Sequence, residues 1–141
     1  MGAPLQLLRK VRLFDSLSDD ELVQLSQRFR EKRCDRGSKA TSLGSSGIGF
    51  FVIAEGHAIV KLYGEVVRRL GPGDFFGEVA AIDGGRRSAE IIAESNMLSY
   101  GLPSGEFRSF VKAHGEVGWA LLETVVGKLR DTQDRAARAA V

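Results

Sequence analysis

The chain is poor in the residues from which most reaction centres are built. It has one cysteine, Cys34, so no intrachain disulfide can form. A buried structural thiol in a reducing compartment is the expectation for it. Its two histidines, His57 and His114, stand far apart. A jelly-roll metal centre needs several clustered His or carboxylate ligands, and a Ser-His or Cys-His pair needs a motif that neither residue supplies. No metal, no cofactor and no catalysis are therefore expected. Excess charge is also missing. Twenty Lys and Arg stand against 18 Asp and Glu, a net of +2, which gives nucleic acid or an acidic membrane little to hold. No apolar run approaches the ~18 residues of a membrane helix. The N-terminus, Met1-Gly2-Ala3-Pro4 before Leu5-Gln6-Leu7-Leu8-Arg9-Lys10, lacks the basic-then-apolar order of a signal peptide. The expectation is a cytoplasmic protein with neither a membrane nor nucleic acid as direct partner.

What is present is glycine, 17 of 141 residues, mostly between Gly37 and Gly105. Glycine marks turns and close backbone approaches, so the middle reads as short strands and the glycine-poor flanks as helices. Ser18-Asp19-Asp20-Glu21 is a capping box, and Leu22, Leu25 and Phe29 follow at helical spacing. This predicts a helix from about Ser18 to Glu31, preceded by a short helix through Leu5, Leu8 and Val11 that ends near Leu13-Phe14. Phe50-Phe51-Val52-Ile53, Ala58–Tyr63 and Val66–Leu70 read as strands, with Gly64-Glu65 as a two-residue hairpin turn. Gly71-Pro72-Gly73-Asp74 is a further turn, and two more strands are expected near Ala89–Glu94 and Met97–Leu102. Ser104 is placed as the cap of a short helix through Phe107, Phe110 and Val111. A longer helix follows His114-Gly115 to about Arg135, its stripe formed by Val117, Leu121, Val125 and Leu129 with Leu122 and Val126 beside them. One domain over 1–141 accommodates all of this, of α+β class with a β-barrel-like or jelly-roll centre.

The informative segment runs from Gly71 to Ala93. A strand ends at Gly77, where the backbone can approach a ligand closely. Glu78 through Ile82 can form one helical turn, whose free amides attract an anion. Gly84-Gly85 ends that turn, and Arg87 returns at the start of the next strand. A guanidinium grips phosphate oxygens with its planar fork, and an ionised carboxylate must find donors, of which a sugar hydroxyl is one. An anion cradle beside a hydroxyl acceptor describes a ribose phosphate. The bland alternative is a structural Glu78–Arg87 ion pair at a turn.

Phe76-Gly77-Glu78-Val79-Ala80-Ala81, then Asp83-Gly84-Gly85-Arg86 and Arg87-Ser88-Ala89, resembles the phosphate-binding cassette of the cyclic nucleotide-binding domain family, in particular its stand-alone bacterial members, actinobacterial ones among them. Leu13-Phe14, Leu17-Ser18 and Glu21-Leu22 resemble the family's opening helix, and Phe50–Ile53 with Glu55-Gly56 its central hairpin. The resemblance implies an eight-stranded β-roll over about 33–102, N-terminal helices, and C-terminal hinge and lid helices over about 104–135. It implies a ligand site of Gly77, Glu78, Val79, Ala80, Arg87, Ser88 and Ala89, with Phe76, Arg86 and Glu90 as secondary members. Arg87 would hold the exocyclic phosphate oxygens, Glu78 would accept from the ribose 2′-hydroxyl, and the amides of Gly77, Ala80 and Ser88 would add donors. The ligand implied is cAMP, with cGMP equally compatible with Ser88. Three positions depart from the family pattern. Arg86 stands where many members have Pro, and the phosphate role goes to Arg87 because it directly precedes Ser88-Ala89. Glu90 replaces a Thr or an apolar residue, and Ala40 a larger aliphatic one. The expected function is a non-enzymatic sensor that moves its last helix on binding, with a homodimer or an effector protein met through that helix. The alternatives are a β-roll interaction module that has lost its ligand, or the regulatory piece of a larger protein.

Overall fold

The flanks become helices for reasons visible in their first turns. In this computed structural model, which describes residues 2–40, 49–83 and 90–139, a one-turn helix α1 (Leu5–Leu8) is followed by a 3₁₀ turn (Arg12–Phe14). Extended Val11 separates the two, so the single short helix expected there is broken. Helix α2 (Asp19–Ser26) opens on the capping box. The Glu21 amide donates to the Ser18 hydroxyl at 3.2 Å, and the Ser18 amide donates to the Glu21 carboxylate at 2.9 Å. The helix does not reach Glu31. It stops at Ser26, Phe29 turns into the core, and Arg30–Cys34 form strand β1. Pairing with β7, from Arg30↔Gly101 to Cys34↔Met97, satisfies backbone groups that the helix would otherwise have used.

The remaining strands are β2 (Gly49–Glu55), β3 (Ala58–Leu62), β4 (Glu65–Leu70), β5 (Phe75–Phe76), β6 (Glu90–Ala93) and β7 (Met97–Pro103). Seven strands thus stand among the described residues where eight are expected, and the roll spans Arg30–Pro103 rather than 33–102. They form two antiparallel sheets, ordered β1-β7-β2-β5 and β4-β3-β6. The β3–β4 turn is shifted by one residue from its expected place. Tyr63 and Gly64 form it, with φ of +51° and +82°, the left-handed pair that a tight hairpin with right-handed twist demands. Glu65 already pairs with Leu62.

Strand β2 explains why Phe50-Phe51-Val52-Ile53 is unbroken in apolar character: it is a wall between two cores. Phe50 and Val52 face the helices, joining Leu8, Leu13, Phe29, Leu102, Phe107 and Val117. Phe51 and Ile53 face into the roll, joining Cys34, Leu70, Phe76, Ile91 and Met97. Phe50 stacks on Phe107 at 4.5 Å between ring centroids, and Phe51 on Phe76 at 5.0 Å. Cys34 is buried as expected, and that burial pushes its thiol pKa up.

Helix α4 (Ser104–Ala113) starts after Pro103, and Ser104 is its first residue rather than its cap. Helix α5 (Gly115–Ala139) extends beyond the end expected near Arg135. Only Val117 and Leu121 of its apolar residues are fully buried, while Trp119, Leu122, Val126 and Leu129 are exposed. The expected stripe therefore packs for two turns and then departs from the core. Among the described residues no helix is long and apolar enough to cross a membrane.

Candidate functional site

The site begins with a turn that delivers β5 onto β2. The Asp74 carboxylate accepts from the Gly71 amide at 2.8 Å, closing Gly71–Asp74 on itself. Ile53 then fastens that turn to β2: its amide donates to the Asp74 carbonyl at 2.9 Å, and its carbonyl accepts from the Gly73 amide at 2.8 Å. Phe75 and Phe76 pair with Val52 and Phe51. Gly77 follows with φ of +86°, and a Cβ there would lie 2.3 Å from the Gly49 carbonyl oxygen. The close approach expected at Gly77 is thus made first by the protein's own backbone.

From Gly77 the chain turns into helix α3 (Glu78–Asp83), whose Ala81 amide donates to the Gly77 carbonyl at 3.0 Å. Ala81 is buried and Val79 and Ile82 face outward. Glu78, the first helical residue, is 1% exposed. A carboxylate withdrawn from water needs a charged or hydrogen-bonding partner. It has one in Lys128 of α5, whose Nζ donates to Oε1. The other end of α3 is held by α4: Arg108 donates to the Ala81 carbonyl at 3.0 Å. Further along α5, Arg135 donates to the Val67 carbonyl of β4 at 2.9 Å. The last helix therefore packs on the N-terminal core through Val117 and Leu121, meets α3 through Lys128 and rests on the β3–β4 hairpin through Arg135.

The expected site residues are distributed as follows. Gly77, Glu78, Val79 and Ala80 lie on the β5–α3 junction. Phe76 is core, stacked on Phe51. Glu90 is exposed at the start of β6, where it pairs with Lys39 at 3.5 Å, so its charge is spent at the surface. Ala40 is fully buried, and its amide donates to the Ile91 carbonyl. Arg86, Arg87, Ser88 and Ala89 lie outside the described residues. Among the described residues no three His, Cys, Asp or Glu side chains gather as metal ligands would. A surface cavity of about 460 Å³, lined by Gln27, Arg28, Phe29, Arg30, Glu31 and Glu106, shares no residue with α3.

The sequence singles out neither Lys128 nor Arg108, and marks Arg135 only as a helix end. A signal for two of them exists. Lys128 and Arg135 fall about 11 and 18 residues after Val117, three and five whole turns of an α-helix. They continue the buried face of Val117 and Leu121 with cations in place of apolar side chains.

Two antiparallel sheets forming a roll, helices at both ends and a last helix laid on a buried carboxylate define a β-roll domain flanked by helices. The family model for the cyclic nucleotide-binding domain matches residues 32–114, and the chain belongs to that family. It is 31% identical over 121 residues to a cyclic nucleotide-gated potassium channel of Mesorhizobium japonicum, covering 86% of this chain and 34% of the channel. It is 35% identical over 94 residues to a cGMP-dependent protein kinase of Drosophila melanogaster, covering 62% and 10%. Among solved structures, cAMP-bound PfPKA-R superposes with a TM-score of 0.82 at 20% identity, covering 94% of this chain and 46% of that one; at that identity the likeness is one of fold. The chain spans about a third or less of the length of these two curated relatives.

Proposed function

We propose that this chain binds a cyclic nucleotide, cAMP first, at the β5–α3 junction and the Arg86–Ala89 segment, and reports binding through α5 without catalysing a reaction. The observation that carries this reading is Glu78: a carboxylate 1% exposed at the start of a short helix, a few residues ahead of Arg86-Arg87-Ser88-Ala89. An acceptor-only group kept out of water serves to bind a donor, and a ribose 2′-hydroxyl is such a donor. Arg87 grips the exocyclic phosphate oxygens, and the amides of Gly77, Ala80 and Ser88 contribute further donors. Family membership supports the ligand class. A cAMP-bound neighbour and a cGMP-dependent relative are both in keeping with that class.

The output is the last helix. Its contact with α3 makes it sensitive to what Glu78 binds, and its outward face presents Trp119, Leu122, Val126 and Leu129 to solvent. An apolar stripe of this size suits a second helix, supplied by another copy or by an effector. Such a switch moves only as far as the ligand's differential affinity for its two states carries it. Thermal unfolding with cAMP, cGMP, a cyclic dinucleotide and linear AMP tests the reading. At 100-fold excess over Kd, cAMP raises Tm by about 5–10 °C, and linear AMP does not. Equal indifference to all four compounds would leave a β-roll without a ligand.

A further inference from the structure

From the hydrogen bond between α4 and the last turn of α3 we infer that Arg108 is a positioning residue for the ligand site: it acts by aiming the Glu78 carboxylate at the ribose hydroxyl. This rests on the reading of Glu78 as the ribose acceptor. A six-residue helix such as α3 is far too short to hold its own shape and direction in water. Its neighbours set both. At its entrance Gly77, with φ of +86°, is seated against the Gly49 carbonyl of β2. In its last turn, Arg108 Nη1 donates to the Ala81 carbonyl at 3.0 Å, one of the end carbonyls for which a helix has no donor of its own. A cation at that end also suits the helix dipole.

Arg108 is itself held in place. Its neighbour Phe107 is buried and stacks on Phe50 at 4.5 Å between ring centroids, and Phe110 of the same helix is buried as well. Gly49 and Phe50 are consecutive residues of β2. One strand therefore fixes both ends of α3, directly at Gly77 and through Phe107 and Arg108 at Ala81. Ala81 follows Glu78 by less than one helical turn. A helix freed at Ala81 but still pinned at Gly77 rolls and tilts about that pin, which re-aims the Glu78 carboxylate and leaves the sheets where they are. Hydrogen bonds weaken steeply with angle, so a re-aimed carboxylate loses its hold on a hydroxyl before the fold fails.

The test uses the full chain, cAMP and 2′-deoxy-cAMP, which has no hydroxyl for Glu78. Arg108→Ala weakens cAMP binding about tenfold, on the order of one charge-assisted hydrogen bond. It weakens 2′-deoxy-cAMP far less, so the wild-type preference for cAMP collapses. Arg108→Lys keeps the charge without the planar fork and gives an intermediate preference. In ligand-free Arg108→Ala the α3 amides exchange faster, with β2 and β7 protection as the folding control; should that protection fail, Arg108→Lys decides. An Arg108→Ala protein that keeps the wild-type preference, whether or not both affinities fall, overturns the proposal and leaves a merely structural contact. Wild type that binds neither compound, or both equally, refutes instead the reading of Glu78 as ribose acceptor, and the proposal falls with it.

Discussion

Gly77 and Glu78 are neighbours that answer to different demands. Gly77 has the left-handed backbone that L side chains avoid and leaves no room for one: a Cβ there would meet the Gly49 carbonyl at 2.3 Å. Neither end of that clash is a flexible side chain, so β2 or α3 has to move. Gly77→Ala is expected to lower unfolding free energy by at least about 2 kcal/mol in a urea titration. It is also expected to displace Glu78, so ligand affinity falls with stability. Glu78, by contrast, pairs with Lys128, and its replacement is expected to cost affinity more than fold. The sequence marks both residues but does not separate these roles, because Gly49 and Lys128, which define them, lie far away along the chain.

At the scale of elements, α2 is held at its start by a reciprocal pair. Hydrogen bonds from the backbone and hydroxyl of Ser18 lower the Glu21 pKa below its ordinary 4.5, with desolvation opposing them and the nearby His114 adding a lesser lowering. His114 is itself placed by stacking on Phe110 at 4.1 Å, and its Nε2 lies 3.1 Å from Glu21. A folded-state pKa below the unfolded one contributes stability that is present above the ordinary value. That contribution is lost as the pH falls through the lowered one. Glutamine keeps the capping geometry without the charge. The advantage of wild type over Glu21→Gln in denaturation midpoint is therefore expected above the ordinary value of 4.5 and is lost as the pH falls below it. A constant difference across that range would contradict the assignment. Ser18→Ala is expected to cost about 1 kcal/mol.

Elements with a local physical cause were legible in the sequence. The capping box, the turn at Gly71–Asp74 and the doubly buried β2 each carry their reason within a few residues. Strand β1 does not: Arg30-Glu31-Lys32-Arg33-Cys34 has no apolar alternation, and only its pairing with β7 makes it a strand. The face of α5 was misplaced for a geometric reason. Steps of four residues drift by about 40° each on a helix of 3.6 residues per turn, so Val117 and Leu121 are buried, Val125 is half-buried and Leu129 has rotated into solvent. Lys128 and Arg135 stay in line with Val117 and carry the contact instead.

In the whole molecule, β2 separates the helical core from the roll core, and α3 packs beside β2 with Ala81 in the helical core. Both C-terminal helices grip α3, α4 at its end through Arg108 and α5 at its start through Lys128. A ligand that altered α3 would therefore act on both helices at once. Family membership was legible in the cassette because its spacing is local; the helix contacts that would make it a switch are tertiary and were not. The proposed site depends on the guanidinium assigned to the ligand's anion. Calorimetric titration of cAMP into Arg87→Ala beside Arg86→Ala measures that directly. Losing the charge-assisted bonds of Arg87, about 1.5–3 kcal/mol each, is predicted to weaken binding tenfold to a hundredfold or more, while Arg86→Ala stays near wild type. An Arg87→Ala protein that binds cAMP as wild type does would contradict the account.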